Sequence, residues 1–370
     1  MLLAGAALVA LASPPALADV KIGIGAPLTG PAAAAGEQIR RGSDAAAKAI
    51  NDAGGVNGEK IVLVYGDDAS DPRQGVAVAN QMVNDGVAAV MGHYNSSVAI
   101  PAAPVYAEEG IVQVAIATNP QLTEQGIETV FRISGRDDQE GEVAGRFIVD
   151  KYKDKPVGII QDQTTYGKGI ADAVKTTINA AGLQEKLYTA ITPGERDYSA
   201  VVSRLKADNI AVVFFGGYHG DAGLLLRQMR DQGVQAQLIT PDTVTTQEYW
   251  AITGPAGEGT LVLFGPEPRD IPAAKDAIAK IRADGYEPEG WTLYAYASLQ
   301  VWAEGAKKAG SNEGAKVAAA LHDGSAYQTV IGPISYDAKG DRTGDPYVLF
   351  QWRGGKLVQL SADEIAAFKP

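Results

Sequence analysis

The sequence contains no cysteine, and this absence excludes several kinds of chemistry. Without a thiol the chain has no disulfide, no cysteine nucleophile and no zinc–thiolate site. Such a composition is compatible with an exported protein whose stability comes from its hydrophobic cores alone. At 370 residues with 46% hydrophobic content, the chain has enough apolar material for about two domains.

Positive charge is also scarce. Lys and Arg number 32 against 44 Asp and Glu, which gives a formal net charge of −12. No cluster of Lys or Arg along the chain could neutralise the phosphates of a nucleic acid, so we expect no nucleic-acid partner. The excess of acidic residues is typical of a soluble protein.

Long apolar runs are confined to the N-terminus. Residues 1–18 form an apolar segment that is too short to span a bilayer, and it ends in Ala16-Leu17-Ala18, a small-residue cleavage pattern. We predict a secretory signal that is removed before Asp19. The positively charged start that is usual for such signals is missing, and a buried N-terminal helix is the alternative.

Motifs for catalysis and for cofactors are missing as well. Gly25 and Gly30 do not fit the dinucleotide-binding spacing G-x-G-x-x-G, and the chain has neither a P-loop nor a G-x-S-x-G nucleophile elbow. Its three histidines are too few and too scattered for a metal cluster, and the acidic segments 67–71 and 337–341 lack the EF-hand spacing. We therefore expect a protein without a cofactor or a metal that is not an enzyme.

What the sequence does contain is a regular alternation of short apolar strands and amphipathic helices. Residues 77–94 and 200–219 share one plan: an amphipathic helix, a turn with Asp, Asn or Gly, an apolar strand, then glycine and an aromatic residue. The alternation predicts an α/β fold with parallel sheets that helices cover on both faces. Pro101 could sit in the opening turn of the helix after the first of these strands, whereas Pro104 is expected to bend that helix or to delay its start.

Polar residues follow the predicted strands in both halves. Ligands of open α/β sheets bind beyond the carboxyl ends of the strands, so these segments are candidates for the walls of a cleft. They comprise residues 26–30, 92–97, 116–119, 162–166, 216–219 and 241–243. Their hydroxyls and amides and the carboxylate of Asp242 suit a small zwitterion rather than bond-breaking chemistry. Helix caps and packed turn aromatics are the alternative explanation of the same residues.

A resemblance to a known family rests on four motifs, which are DDASDPRQ at 67–74, AVAN at 77–80, Gly92-His93, and GGYH at 216–219. With these motifs the chain resembles the leucine/isoleucine/valine-binding proteins, the type I periplasmic binding proteins of bacterial amino-acid importers. The resemblance covers essentially the whole chain after residue 18. It implies two Rossmann-like lobes with parallel sheets, joined by three hinge crossings, that close on a free amino acid and deliver it to an ABC permease in the membrane. It also implies a periplasmic protein, and we expect a monomer.

Carried over by position, the resemblance divides the chain after the predicted signal. The N-terminal lobe would comprise residues 19–137 and 267–343, and the C-terminal lobe residues 138–266 and 344–370. The groups that would contact the ligand's α-carboxylate and α-amino group are Ser96, the backbone of Ile116, and Thr118 in the first lobe, and Tyr166, Tyr218 and Asp242 in the second. The side-chain end of the pocket would carry Tyr94, Asn95 and Trp291.

Two of these positions bear on which ligand the resemblance implies. The acidic partner of the ammonium group is commonly glutamate in the family and is the shorter Asp242 here. Tyr94 and Trp291 would fill space that a branched side chain needs. We therefore expect small aliphatic amino acids, namely alanine, proline, valine and γ-aminobutyrate, to be preferred over leucine. A branched-chain specificity, a sensory ligand-binding module and an enzyme acting on amino acids are the alternatives.

Overall fold

The computed structural model describes residues 19–344 and 347–370, so the predicted signal at 1–18 lies outside the described residues. Within these residues the chain forms two large β-sheets and one two-stranded sheet. No helix among the described residues is long and apolar enough to cross a bilayer.

The first sheet is built from the N-terminal part of the described chain. Its elements are β1 (Val20–Ala26), α1 (Ala33–Asp52), β2 (Ile61–Asp67), α2 (Pro72–Asn84), β3 (Ala89–Gly92), α3 (Ser96–Glu108), β4 (Val112–Ala115), α4 (Gln121–Glu124) and β5 (Val130–Arg132). The five strands are all parallel and lie in the order β2-β1-β3-β4-β5. Every residue of β3, β4 and β5 is buried, as expected for a parallel sheet that is covered on both faces.

The second sheet begins after β5. The elements that follow are α5 (Asp137–Tyr152), β6 (Val157–Gln161), α6 (Thr165–Ala180), β7 (Leu187–Ala190), α7 (Ser199–Ala207), β8 (Val212–Gly216), α8 (His219–Asp231), β9 (Gln237–Thr240), α9 (Gln247–Thr253) and β10 (Leu261–Phe264). Short 3₁₀ helices cover Asp242–Val244, Gly254–Gly257, Pro268–Asp270 and Pro272–Ala274. Neighbouring strands among β6 to β10 are parallel.

The rest of the chain is shared between the two sheets. Its elements are α10 (Lys275–Ala283), α11 (Thr292–Ala309), α12 (Gly314–Leu321), β11 (Tyr327–Thr329), β12 (Gly332–Ile334), β13 (Val348–Arg353), β14 (Lys356–Gln359) and α13 (Ala362–Ala367). Helix α11 packs against α1 beside the first sheet, whereas β13 and β14 add two antiparallel strands to the second, in the order β14-β13-β10-β9-β8-β6-β7. The chain therefore passes between the sheets after β5, after β10 and after β12.

These observations confirm the predicted fold class of two α/β lobes with mainly parallel sheets and three crossings. The boundaries between the lobes at 137/138, 266/267 and 343/344 remain a proposal. Of the two effects expected of Pro104, the delayed helix start is wrong, because α3 begins at Ser96 and contains both prolines. Pro104 has no N–H to donate to the carbonyl of Ile100, and the side chain of Gln125 donates to that carbonyl instead, at 3.3 Å.

A buried ion pair anchors the third crossing to the first sheet. Arg132, the last residue of β5, is fully buried and donates from Nε to Oδ1 of Asp341 at 2.8 Å. The same guanidinium donates to the carbonyl of Ala117 and, at 3.1 Å, to that of Asn119. Because these carbonyls belong to the segment after β4, one arginine fixes both the crossing and the polar strand end beside it.

Candidate functional site

The polar segments at the strand ends of the two sheets meet each other in a closed cleft. The ring of Tyr94, which follows β3, lies 6.1 Å from the ring of Tyr218, which follows β8. Asn119, which follows β4, donates from its side chain to the carbonyl of Thr165 at the start of α6, at 3.0 Å. The carboxyl ends of strands from both lobes are thus brought together, as the sequence analysis predicts.

An aromatic cluster forms one wall of this region. Trp291, which immediately precedes α11, lies edge-on to Tyr94 with ring centroids 5.9 Å apart. Phe264 and Tyr294 contact the other sides of the Trp291 ring, at 5.0 and 5.3 Å. The backbone N–H of Trp291 donates to the side chain of Gln38 at 2.9 Å. These contacts fix the indole ring in place, and both Trp291 and Tyr94 are buried.

The N-terminus of α3 presents the backbone N–H groups of its first turn on the first-lobe side. Asn95 is the N-cap residue and Ser96 the first residue of this 13-residue helix, and both are buried. The hydroxyl of Ser96 accepts from the backbone N–H of Asn119 at 3.3 Å, while Oδ1 of Asn95 has no partner among the described residues. The first N–H groups of a helix lack intrahelical acceptors and carry the positive end of the helix dipole. This end suits a carboxylate.

The segment after β4 is held in place by hydrogen bonds of its backbone. The N–H of Ile116 donates to the carbonyl of His93 at 3.3 Å, and the carbonyl of Ile116 accepts from the hydroxyl of Ser134 at 2.8 Å. The carbonyl of Thr118 accepts from the N–H of Asp137 at 3.0 Å. Thr118 therefore links the first-lobe strand end to the start of α5.

His93 anchors the end of β3 from beneath. Its Nδ1 lies 2.7 Å from Oδ2 of Asp68 and its Nε2 lies 2.9 Å from the hydroxyl of Tyr106, and all three side chains are fully buried. His219 on α8 contacts Glu248 at 3.0 Å. Both histidines are thus hydrogen-bonded within the fold, His93 after β3 and His219 at the start of α8. No group of three or more His, Cys, Asp or Glu among the described residues is placed to hold a metal ion.

On the second-lobe side the structure brings three carboxyl groups together. Oδ1 of Asp242 accepts from the hydroxyl of Tyr166 at 2.8 Å, and the backbone N–H of Asp242 donates to Oε1 of Glu140 at 2.9 Å. Asp137 lies one turn before Glu140 on α5. The three acidic residues are at most 1% exposed. Asp242 Oδ2, Glu140 Oε2 and both oxygens of Asp137 have no hydrogen-bond partner among the described residues.

Burial controls the electrostatics of this carboxyl cluster. Loss of solvation raises the pKa of Asp242 to about 8 and that of Asp137 to about 7, and it raises the pKa of Glu140 well above its usual range. The negative charges of Asp242 and Asp137 raise the pKa of Glu140 further. Within the described residues no Lys, Arg or His forms an ion pair with any of the three. Arg132 and Arg136 lie near Asp137 but pair with Asp341, so the cluster has no cationic partner of its own among these residues.

The nine residues that the sequence analysis named lie at these strand ends and helix ends, and all are buried or half-buried. Tyr94, Tyr166, Tyr218 and Trp291 form a continuous series of aromatic contacts, which Asp242 joins through the hydroxyl of Tyr166. Ser96, Asn95, Ile116 and Thr118 line the opposite strand ends. Their contacts with a ligand remain a prediction.

Sequence reasoning missed three groups of this region. Asp137 and Glu140 belong to the first turn of a helix, where acidic residues are common for reasons of capping and of the helix dipole. Tyr347 is buried against the same carboxyls. Burial raises the pKa of Tyr347 well above its ordinary value, and the charges of these carboxyls raise it further. The only feature of the sequence that pointed to Asp137 and Glu140 was their spacing, which puts two carboxyls on one helix face next to a predicted crossing.

Comparisons with known proteins agree with this architecture. A family model described as periplasmic binding protein matches residues 19–356. The chain is 50% identical over 341 residues to the Leu/Ile/Val-binding protein homolog 1 of Brucella suis, and the alignment covers 92% of both chains. It is 48% identical over 350 residues to an amino acid binding protein of Pseudomonas aeruginosa, with 93% of both chains covered.

Solved structures show the same similarity. A leucine binding protein of Thermotoga maritima superposes with a TM-score of 0.87 and 25% identity, covering 92% of this chain and 98% of that one. An ABC transporter substrate-binding protein of Desulfitobacterium hafniense, solved in complex with Leu, superposes with a TM-score of 0.77 and 26% identity, covering 92% of this chain and 100% of that one.

Because its carboxyls have raised pKa values, the cluster should make the free energy of unfolding of the ligand-free protein depend on pH. Folding raises the pKa of Asp242 from an ordinary value of 3.8 to about 8. Its contribution to the free energy of unfolding is therefore fully present below about pH 4 and is lost as the pH rises through about 8. Urea denaturation at about pH 5 and about pH 8.5 should show a loss of stability that is smaller in Asp242→Asn. Equal losses in the two proteins would assign the pH dependence to other groups.

Proposed function

The chain belongs to the periplasmic binding protein family, and on that premise we propose that it captures a free aliphatic amino acid between its lobes and delivers it to an ABC permease. Its relatives are solute-binding proteins, and the chain is a binding protein rather than an enzyme. The names of its relatives in Brucella suis and Pseudomonas aeruginosa support an amino acid as the ligand. The proposal places the protein in the periplasm, as a monomer that is cleaved before Asp19.

The observation that carries this proposal is a buried carboxylate without a positive partner. Oδ2 of Asp242 is unpaired among the described residues, and no side chain there offers it a cation. Burying a charge without a partner costs free energy of folding. A buried carboxylate that lacks a partner within the protein therefore commonly pairs with a cationic group of a ligand. The ammonium group of an amino acid provides the missing charge and up to three N–H donors.

The opposite end of the cleft suits the other charge of an amino acid. The N-terminus of α3 at Ser96 offers backbone donors and a positive dipole end to an α-carboxylate. Tyr94 lies between the two ends. It precedes Asn95 in sequence, and the charges of Asp242 and Glu140 act on its hydroxyl, adding to the burial that raises the pKa of Tyr94. A donor end and an acceptor end on opposite lobes are complementary to a zwitterion, and they stabilise the closed form only when the ligand bridges them.

The aromatic wall supports a preference for a small side chain. Trp291 is held by Phe264 and Tyr294 and by the hydrogen bond of its backbone to Gln38, so it cannot move aside without breaking these contacts. Forcing extra methylene groups into a packed site costs about 1–3 kcal/mol. We therefore favour alanine, proline, valine and γ-aminobutyrate over leucine. Binding of leucine, isoleucine and valine is the second candidate, which the name of the Brucella suis relative favours.

A panel of free amino acids tests the ligand class and its size together. In a thermal-shift assay, a ligand at 100 times its dissociation constant should stabilise the folded protein by about 2.7 kcal/mol. Competitive titration should then rank alanine, proline, valine and γ-aminobutyrate above leucine. If leucine binds more tightly than all four, the size argument is contradicted and branched-chain specificity is favoured instead.

Truncation of the wall should change this ranking. Trp291→Ala opens space at the side-chain end of the pocket, so leucine should gain about tenfold or more relative to alanine. Trp250→Ala is a control with the same chemical change, because Trp250 stacks on Trp352 in the second lobe rather than on Tyr94. The ratio of the leucine and alanine affinities should stay unchanged in the control.

Removal of the acidic partner tests the pairing with the ammonium group. Asp242→Asn keeps the shape of the side chain but removes its charge, so calorimetry should show binding weakened by about 2–5 kcal/mol. Asp172→Asn on α6 removes an exposed carboxylate from the helix that carries Tyr166, and it should leave the affinity unchanged. Unaltered affinity in Asp242→Asn would remove this residue from the site.

A further inference from the structure

The three carboxyls of Asp137, Glu140 and Asp242 lie together where the start of α5 meets the segment after β9, and we name them the acidic triad. Asp137 and Glu140 lie on α5, and Asp242 follows β9 of the second sheet. The hydrogen bond from the N–H of Asp242 to Oε1 of Glu140 joins the two elements at 2.9 Å. Since both elements pack on the second sheet, separation of the lobes does not need to break this contact.

The hydrogen-bonding capacity of the acidic triad is largely unused. Tyr166 satisfies Oδ1 of Asp242, and the backbone of Asp242 satisfies Oε1 of Glu140. The remaining oxygens, Asp242 Oδ2, Glu140 Oε2 and both of Asp137, are buried and have no partner at hydrogen-bond geometry in the part of the chain that the structure describes. The hydroxyls of Thr118 and Tyr347 lie near enough to Asp137 and Asp242 to oppose the rise of their pKa, which burial still dominates. The hydroxyl of Tyr347, a second kind of buried polar group beside the triad, is also without a partner there. A ligand with several N–H donors would satisfy these atoms.

The charged groups around the acidic triad do not neutralise it. Among the described residues, the cations that act on it face Asp137, namely Arg132 and Arg136, and both already pair with Asp341, at 2.8 and 2.7 Å. Asp138 faces Asp137 with a like charge and pairs with Arg136. The other titratable side chains that feel its charges are Tyr94, Tyr166, Tyr218, Tyr294 and Tyr347. These phenols are neutral, so no fixed positive charge reaches Glu140 or Asp242.

Three carboxylates that are this close and this buried cannot all be ionised without a cation. We propose that the acidic triad retains protons in the ligand-free protein, and that the ammonium group of the bound amino acid displaces a proton from it. In this step the O–H bond of one carboxyl breaks, the proton passes to bulk water, and the new carboxylate accepts an N–H of the ligand. Capture of the ligand is thereby coupled to proton release. The inference rests on the proposed function, since it requires a ligand with an ammonium group.

The coupling has a direction and a pH range. Burial raises the pKa of Asp137 to about 7 and that of Asp242 to about 8, so the protons are held up to neutral pH. The ammonium group of an amino acid keeps its own proton in this range. Affinity should therefore rise from about pH 6 to about pH 8, approaching tenfold per pH unit where one full proton is released. Acidification would favour release of the ligand.

Isothermal titration of an amino acid that the thermal-shift panel identifies measures the coupling directly. Titrations at about pH 7 in phosphate and in Tris, whose ionisation enthalpies differ, should give different apparent binding enthalpies, and the difference gives the number of protons exchanged. Glu140→Gln removes one proton site of the triad and should reduce the number released. Glu142→Gln, on the same helix but exposed and paired with Arg146, should release as many as the unmutated protein.

The possible outcomes separate this inference from the proposed function. Binding with no proton exchange, or with uptake of protons, would overturn the acidic triad as a proton store while leaving amino-acid capture intact. Absence of binding by every amino acid in the panel would overturn the proposed function and this inference with it. If Glu140→Gln fails to fold, Asp137→Asn takes its place. Infrared difference spectra of the unmutated protein should also lose the carbonyl band of a protonated carboxyl when ligand binds.

Discussion

The architecture of the candidate site follows from one electrostatic constraint, which is that Asp242 lies buried without a positive charge beside it. Its Oδ1 is held by Tyr166, while its Oδ2 is unpaired in the described chain. Glu140 lies against the backbone of Asp242, and the charge of Asp242 adds to the burial that raises the pKa of Glu140 well above its usual range. Moving an ionised carboxylate from water to such a position costs free energy unless a cation pairs with it. A cationic group from outside the chain resolves the conflict, and the proposed amino-acid ligand carries one.

The scaffold around this position holds the strand ends rigid and lets the lobes supply different halves of the site. Arg132 joins Asp341 of the third crossing to the carbonyls after β4, and His93 is fixed between Asp68 and Tyr106 beneath the end of β3. Donors at the N-terminus of α3 belong to one lobe, and Glu140 and Asp242 belong to the other. Because neither lobe alone offers both, the proposed ligand has more contacts in the closed form than in the open one.

Sequence patterns predicted the fold well, because each buried strand is a short apolar run that ends in a polar turn. Such patterns do not mark β5 and β7, which are only three and four residues long, and they do not show that α3 begins at Ser96 despite Pro104, for which Gln125 compensates. Asp242 could be named because it follows a strand. Asp137 and Glu140 could not, since acidic residues in the first turn of a helix are ordinary locally and only tertiary packing buries these two.

Small-angle X-ray scattering would show whether the two lobes close around a ligand. Profiles of the protein would be recorded alone, with an amino acid that binds in the panel, and with one that does not. Only the binding amino acid should lower the radius of gyration, because only a ligand that bridges α3 and the acidic triad favours the closed form. Identical profiles with and without a bound amino acid would contradict capture by closure.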